Sequence, residues 1–184
     1  MTKYSLIPDS SFYICFLDDI KEPKYITRLL KCDKFVCYTG PIIKKEIEKS
    51  LNYFHIENTI NRDVFIFEYY NYGEILRPFF SINEIKKGEN EVIVISYILY
   101  SQNRTFITIL DDGDPRKFLK QNFPEIYNSV EGTITFTANC CIKNNIFSQE
   151  ETLNILELIR KSKFRVDNKI VDEAIVKVRC YKNV

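Results

Sequence analysis

Near the middle of the chain an apolar stretch, I-T-I-L at 107–110, runs directly into Asp111, Asp112 and Asp114. Carboxylates this close in sequence repel one another unless something cationic sits among them. Read in isolation, D-D-G-D is a solvated turn with an Asp cap on the helix that follows. Asp9 repeats the arrangement, since it too ends an apolar stretch, "KYSLIPD". Histidine narrows the chemistry by elimination. His55 is the only one in the chain, which excludes a nuclease working with paired histidines and a His-rich zinc hydrolase. The same scarcity leaves the cysteines without a nearby base, and His55 itself reads as an ordinary partly buried or surface residue.

The 184 residues fit one domain, and 45% hydrophobic content is ample for a core. A net charge of only +1 is unlike the basic coat of a protein that grips nucleic acid over a wide surface, so any polyanion contact must be local. The opening "MTKYSLIPDSSF" lacks the pattern of a secretory signal, and no apolar run is long enough for a membrane helix, so a cytoplasmic protein is expected. Its six cysteines form no C-x-x-C pair and sit mainly in apolar surroundings, which favours buried thiols over a zinc site or a disulfide frame.

The elements that must position the acids alternate between strand and helix. "KYSLIPD" and "KFVCYT" (34–39) read as strands, with "SSFYICFLDDI" and "EPKYITRLL" as helices between them. "GPIIKKEIEKS" opens a helix with Ile43 and Ile47 one turn apart. "GENEVIVISYILYSQ" (88–102) is the most apolar helix candidate, although its β-branched residues also suit a strand, and "RTFITIL" (104–110) is the next strand. "SVEGTITFTANCCIKNN" predicts a short strand and a helix. "SQEETLNILELIRKS" begins with a Ser148–Glu151 capping box and carries Leu153, Leu156 and Ile159 on one face. The last helix starts at Asp167 and repeats Val171, Ala174, Ile175 and Val178. Such alternation predicts an α/β fold with a mostly parallel central sheet covered by helices.

In such sheets ligands bind in the crevice beyond the strands' carboxyl ends. Asp9 and Asp112 both fall there, and Glu46, one turn after Ile42, can reach the same rim. Glu89 opens the apolar helix, so its charge must face an edge or a cavity.

"LIPDSSFYI", "GPIIKKEIEKS", "GENEVIVISYILY" and "ITILDDGDPRKFL", in that order, resemble the acidic signature of the PIN-domain superfamily of metal-dependent nucleases. The downstream "VEGTITFTANCCIKNNIFSQEETLNILELIRKSKFRVDNKIVDEAI" is similar to a toxin-like branch that follows its LDD segment with a Gly-Thr helix, a second helix and a closing amphipathic helix. The resemblance leaves out roughly residues 51–87. It implies a single PIN-like domain over 1–184, a three-layer α/β/α sandwich, in which 51–87 is an aromatic-rich variable helical segment and 130–184 a C-terminal helical extension. It further implies that Asp9, Glu46, Glu89 and Asp112 are the catalytic acids, that the same four with Asp114 or Asp111 hold Mg2+ or Mn2+, and that Ser10 and Ser11 occupy the small hydroxyl positions after the first acid. The third position carries Glu where most of the superfamily has Asp, and Glu91 follows so closely that either glutamate could face the crevice.

Oxygen-only donors suit hard divalent cations. A cation among these acids would offset their mutual repulsion, lower the pKa of a water and stabilise charge developing on a phosphate. The activity the resemblance implies is phosphodiester hydrolysis, foremost by an endoribonuclease acting as a toxin or defence effector. A DNA or structure-specific nuclease and a catalytically inactive PIN-like interaction module are the alternatives. Phosphate contacts could come from Lys44, Lys45 and Lys49, or from Arg116, Lys117 and Lys120, with Arg116 foremost because its planar fork suits a phosphate. The aromatic residues of 51–87 suit core or subunit contact, or a platform for unpaired bases. The resemblance implies an RNA substrate, an antitoxin partner and a homodimer.

Overall fold

The computed structural model describes residues 3–68, 74–75, 77–79 and 87–181. Five strands, β1 (Tyr4–Pro8), β2 (Phe35–Thr39), β3 (Val64–Ile66), β4 (Phe106–Ile109) and β5 (Val130–Glu131), form one sheet in the order β3-β2-β1-β4-β5, every pair parallel. Helices flank the sheet in a three-layer α/β/α arrangement. They are α1 (Ser10–Ile14, continued by a wide π-turn over Cys15–Asp19), α2 (Pro23–Leu30), α3 (Pro41–Ile47), α4 (Glu57–Asp63) and α5 (Gly88–Ser101). After β4 come α6 (Gly113–Asn122), α7 (Pro124–Tyr127), α8 (Thr133–Ile142), α9 (Gln149–Lys161) and α10 (Asn168–Cys180).

The strands turn apolar and aromatic side chains inward: Leu6, Ile7, Cys37, Tyr38, Ile109 and Phe106 are buried in a continuous core. α5 is apolar nearly all round because it is nearly all buried, Val92 to Ser96 included, lying against β1, β2 and β4. Ser96 on its inner face is satisfied within the core, its Oγ lying 2.8 Å from Thr108 Oγ1. On α8, Phe136 meets Phe12 of α1 and Phe35 of β2 with ring centroids 5.8 and 5.7 Å apart. The segment expected as a C-terminal extension thus supplies both an edge strand and part of the central packing.

Two local expectations are adjusted. Residues 64–66, inside the segment expected to be helical, form the edge strand β3, whose Cys37–Val64 and Thr39–Ile66 pairing extends the sheet. Residues 69–73, 76 and 80–86 of that segment lie outside the described residues. On α9 the buried face is Thr152, Ile155, Leu156 and Ile159, and Leu153 sits at its margin. The Ser148–Glu151 capping box is present in both directions. Ser148→Ala is therefore expected to cost about 1 kcal/mol, read as a shift in the denaturation midpoint.

The chain winds from β1 outward through β2 and β3, then crosses to the other side of β1 for β4 and β5. The winding reverses between β1 and β4, and beyond the carboxyl ends of those two strands the connections diverge and leave a crevice. Asp9 N–H donates to Ile109 O at 3.0 Å, which locks the end of β1 beside the end of β4.

Candidate functional site

Asp9 is buried, 3% exposed, at this switch point. It caps α1: the carboxylate accepts from Phe12 N–H at 3.0 Å and from Ser11 Oγ at 2.8 Å. Those donors stabilise its charge, yet burial and then the facing Asp111 outweigh them and push its pKa up to about 7. Asp111 is held from the other side. Thr133 donates to it through its backbone N–H at 2.9 Å and through its hydroxyl, and Ser11 Oγ reaches it at 3.4 Å. Its pKa is also raised, chiefly by burial, against the hydrogen bonds of Thr133 and the charge of Arg116.

Ser11 therefore stands between two carboxylates whose positions are otherwise fixed from separate elements, α1 and α8. Gly132 makes room for this: a Cβ there would lie 3.1 Å from Asp111 Oδ1 and 3.3 Å from Arg116 Nη1. Arg116 is committed to the protein, since its Nη1 donates to Leu110 O at 3.1 Å. Its role in the fold is to brace the turn and moderate the charge of Asp111.

A second group of acids borders the first. Burial raises the pKa of Glu89, with smaller contributions from Asp112 and Glu46, while Lys87 at 3.7 Å opposes them. Asp112 takes the N-cap position of α6 without making a cap bond through its side chain and is exposed, as is Asp114 in the first turn. The acid that meets Asp9 is thus Asp111 rather than Asp112. Ser10 begins α1, and it is its neighbour Ser11 that makes the contacts with the acids. Lys45, Lys49 and Lys117 are exposed, Lys44 donates to Asn61, and Lys120 stands over the Tyr127 ring.

Glu91 is fully buried and does not face the crevice. Its two oxygens accept from Ile42 N–H at 3.0 Å and Ile43 N–H at 2.8 Å, so it caps α3, whose own N-cap residue, Gly40, has no side chain to do so. Glu46 of α3 returns the contact by accepting from Gly88 N–H, the first residue of α5, at 3.2 Å. Each helix thus caps the start of the other, and the pair fixes the depth at which Glu46 and Glu89 sit. Gly40 is required by this arrangement: a Cβ would lie 2.0 Å from the pinned Glu91 carboxyl carbon. Gly40→Ala is expected to lower stability by about 2 kcal/mol in a denaturant titration, an overpacking cost. Gly88→Ala should be milder, because the group it meets is the half-buried end of Glu46.

The oxygen-only donors at the switch point fit a hard divalent cation. Mg2+ ordinarily takes one or two carboxylates, with waters and substrate phosphates filling its remaining positions, and Asp9 with Asp111 supplies two. Among the described residues no group of three or more His, Cys, Asp or Glu is placed to hold an ion. The expected set of Asp9, Glu46, Glu89 and Asp112 is therefore divided between an inner pair and an outer rim. Burial keeps the core thiols protonated, raising Cys37 to about 12 and Cys140 well above its ordinary value. His55 is exposed and stacks on Phe54.

Sequence reasoning passed over Thr133 as an Asp111 partner, and it passed over Lys163 and Arg165. Two clefts of about 210 and 390 Å3 open beside Asp111, and Arg165 lines both. A larger hollow of about 580 Å3 lies by the amino ends of β1 and β4, lined by Lys3, Lys34 and Lys143, at the far end of the sheet from the acids. No family model, curated protein or solved structure matches this chain. Among the described residues no helix is long and apolar enough to cross a membrane.

Proposed function

We propose that this protein is a metal-dependent phosphodiesterase, an endoribonuclease of PIN-like type that acts as a toxin or defence effector. The observation that carries the reading is the Asp9–Asp111 pair at the switch point of a parallel sheet, a buried and a half-buried carboxylate whose pKa values are both raised, Asp9 by burial and then by the facing Asp111, and Asp111 by burial. A fold stabilised for its own sake gains nothing from opposing two desolvated acids, and perturbed groups of this kind cluster at functional sites.

In this reading Asp9 and Asp111 hold Mg2+ or Mn2+, and Ser11 and Thr133 keep the two carboxylates aimed at a common point. When bound, the ion supplies an activated water and offsets charge on the phosphate. Asp9 releases its proton as the site fills, since at neutral pH a carboxyl group with its raised pKa is partly protonated. Glu46, Glu89 and Asp112 border the entrance, where their charge would exclude a phosphate chain unless cations accompany it. RNA substrate, an antitoxin partner and a homodimer belong to the same reading.

Incubating the purified protein with Mn2+ and single-stranded RNA, in parallel with DNA of the same sequence, tests it. Internal cleavage of RNA leaving 5′-phosphates supports the reading. Cleavage of DNA alone would move the substrate to the maintenance alternative. Binding of Mn2+ without cleavage of either would leave an inactive interaction module.

A further inference from the structure

Residues 163–166, which join α9 to α10, alternate. Phe164 and Val166 pack inward against the core, while Lys163 and Arg165 are exposed. This is the pattern of an extended strap with one face anchored. Its ends are fixed as well: Ser162 Oγ accepts from Phe164 N–H at 3.1 Å and donates to Ile159 O at 2.8 Å, and Asp167 caps α10 through Lys169 N–H at 2.9 Å. The two cations are thereby carried on a braced segment beside the acids.

Their placement is specific. The 210 Å3 cleft is lined by Ser11, Asp19, Asp111 and Asp112 together with Lys163 and Arg165, the charge of Lys163 also acting on Asp19. The 390 Å3 cleft continues past Asp111 and Arg116, with Arg165 again on its wall. One guanidinium therefore overlooks both hollows where they meet at Asp111. Among the described residues neither Lys163 nor Arg165 forms an ion pair within 4.0 Å. Arg116, the foremost phosphate candidate from the sequence, is instead engaged with Leu110 O.

We propose that the 163–166 strap is a phosphate-binding subsite, with Lys163 and Arg165 holding the backbone of a single nucleic-acid strand as it passes from one cleft to the other across Asp111. The inference rests on the phosphodiesterase reading for the identity of the polyanion. A strand laid on the acidic rim needs cations on its other side, and the strap is where this near-neutral protein places them. The clefts are narrow, which suits one strand, and phosphate contacts of this kind position a substrate without reading its sequence.

The test is fluorescence anisotropy with a labelled RNA of about twelve nucleotides, with Ca2+ replacing Mn2+. It compares the full-length wild-type chain, a Lys163→Ala plus Arg165→Ala variant, and a Lys34→Ala plus Lys143→Ala variant that removes equal charge at the opposite end of the sheet. The strap variant should bind at least tenfold more weakly, and its plot of log affinity against log salt should be shallower by about 1.4, the effect of two lost contacts to a single strand. Its melting temperature should match that of the wild type, and the far-end variant should bind like the wild type. Equal binding by wild type and strap variant would overturn the subsite while leaving any Mn2+-dependent cleavage, and the reading drawn from it, standing. A wild-type protein that binds no strand at all would overturn both.

Discussion

Asp9→Asn is expected to lower Mn2+-dependent RNA cleavage by about a thousandfold or more, because an interaction worth several kcal/mol in the transition state is lost and each 1.36 kcal/mol is a factor of ten. The substitution is close to isosteric, and the Asn oxygen can still accept from Phe12 N–H and Ser11 Oγ, so α1 keeps its cap. The variant should also be more stable than the wild type at pH 8 without added metal. The sign follows from Asp9's pKa, raised from 3.8 to about 7: the folded state holds a proton that the unfolded chain has released. Its contribution to stability is fully present below about 4 and is lost as pH rises through 7. Thermal melts at pH 5 and pH 8 should show the wild type falling over that interval and the variant falling less. A variant that cleaves at the wild-type rate would remove Asp9 from the chemistry altogether.

Glu91→Ala should cost on the order of 3 kcal/mol in stability, the largest loss expected from any acid in the molecule. The buried Ile43 N–H and the part-buried Ile42 N–H at the start of α3 lose their acceptor, and a side-chain-sized void opens beside Gly40. Glu91→Gln should cost less, on the order of 1 kcal/mol, since one acceptor remains. Glu91's own pKa is raised by burial to about 7, against the two backbone donors, so its contribution too is complete below 4.5 and is lost through neutrality. The Gln variant should accordingly show a flatter dependence of melting temperature on pH than the wild type. If Glu91→Ala abolished cleavage while leaving the melting temperature unchanged, Glu91 would belong to the chemistry rather than to the fold.

Much of the fold was legible because strand and helix periods are written locally. The strands at 4–8, 35–39 and 106–109 and the last two helices follow from residue type, capping boxes and spacing. β3 was not, because V-F-I lies in an aromatic-rich stretch where β-type residues also suit a helix buried on one side, and only pairing with β2 decides between them. The site was legible to the level of the rim. That Asp9 ends β1 and that an aspartate ends β4 follow from sequence, but which aspartate turns inward depends on Thr133, a partner 22 positions away on α8. The choice between Glu89 and Glu91 likewise depends on which helix start lies beside each carboxylate, a matter of packing between α3 and α5 that no local pattern carries. The strap was overlooked for a different reason: K-F-R-V is a short alternating run between two helices, and its worth comes entirely from the clefts it faces.

The central claim is that Asp9 and Asp111 share one cation, and a calorimetric Mn2+ titration of the wild type, Asp9→Asn, Asp111→Asn and the double variant tests it most directly. If the two carboxylates grip the same ion, each single variant loses most of the affinity and the double variant is scarcely worse than either, a strongly non-additive cycle. Wild-type binding at pH 6.5 should also release protons, chiefly through Asp9, and the Asp9→Asn variant should release fewer. Mn2+ bound with equal affinity by all four proteins, or losses that simply add, would contradict the account.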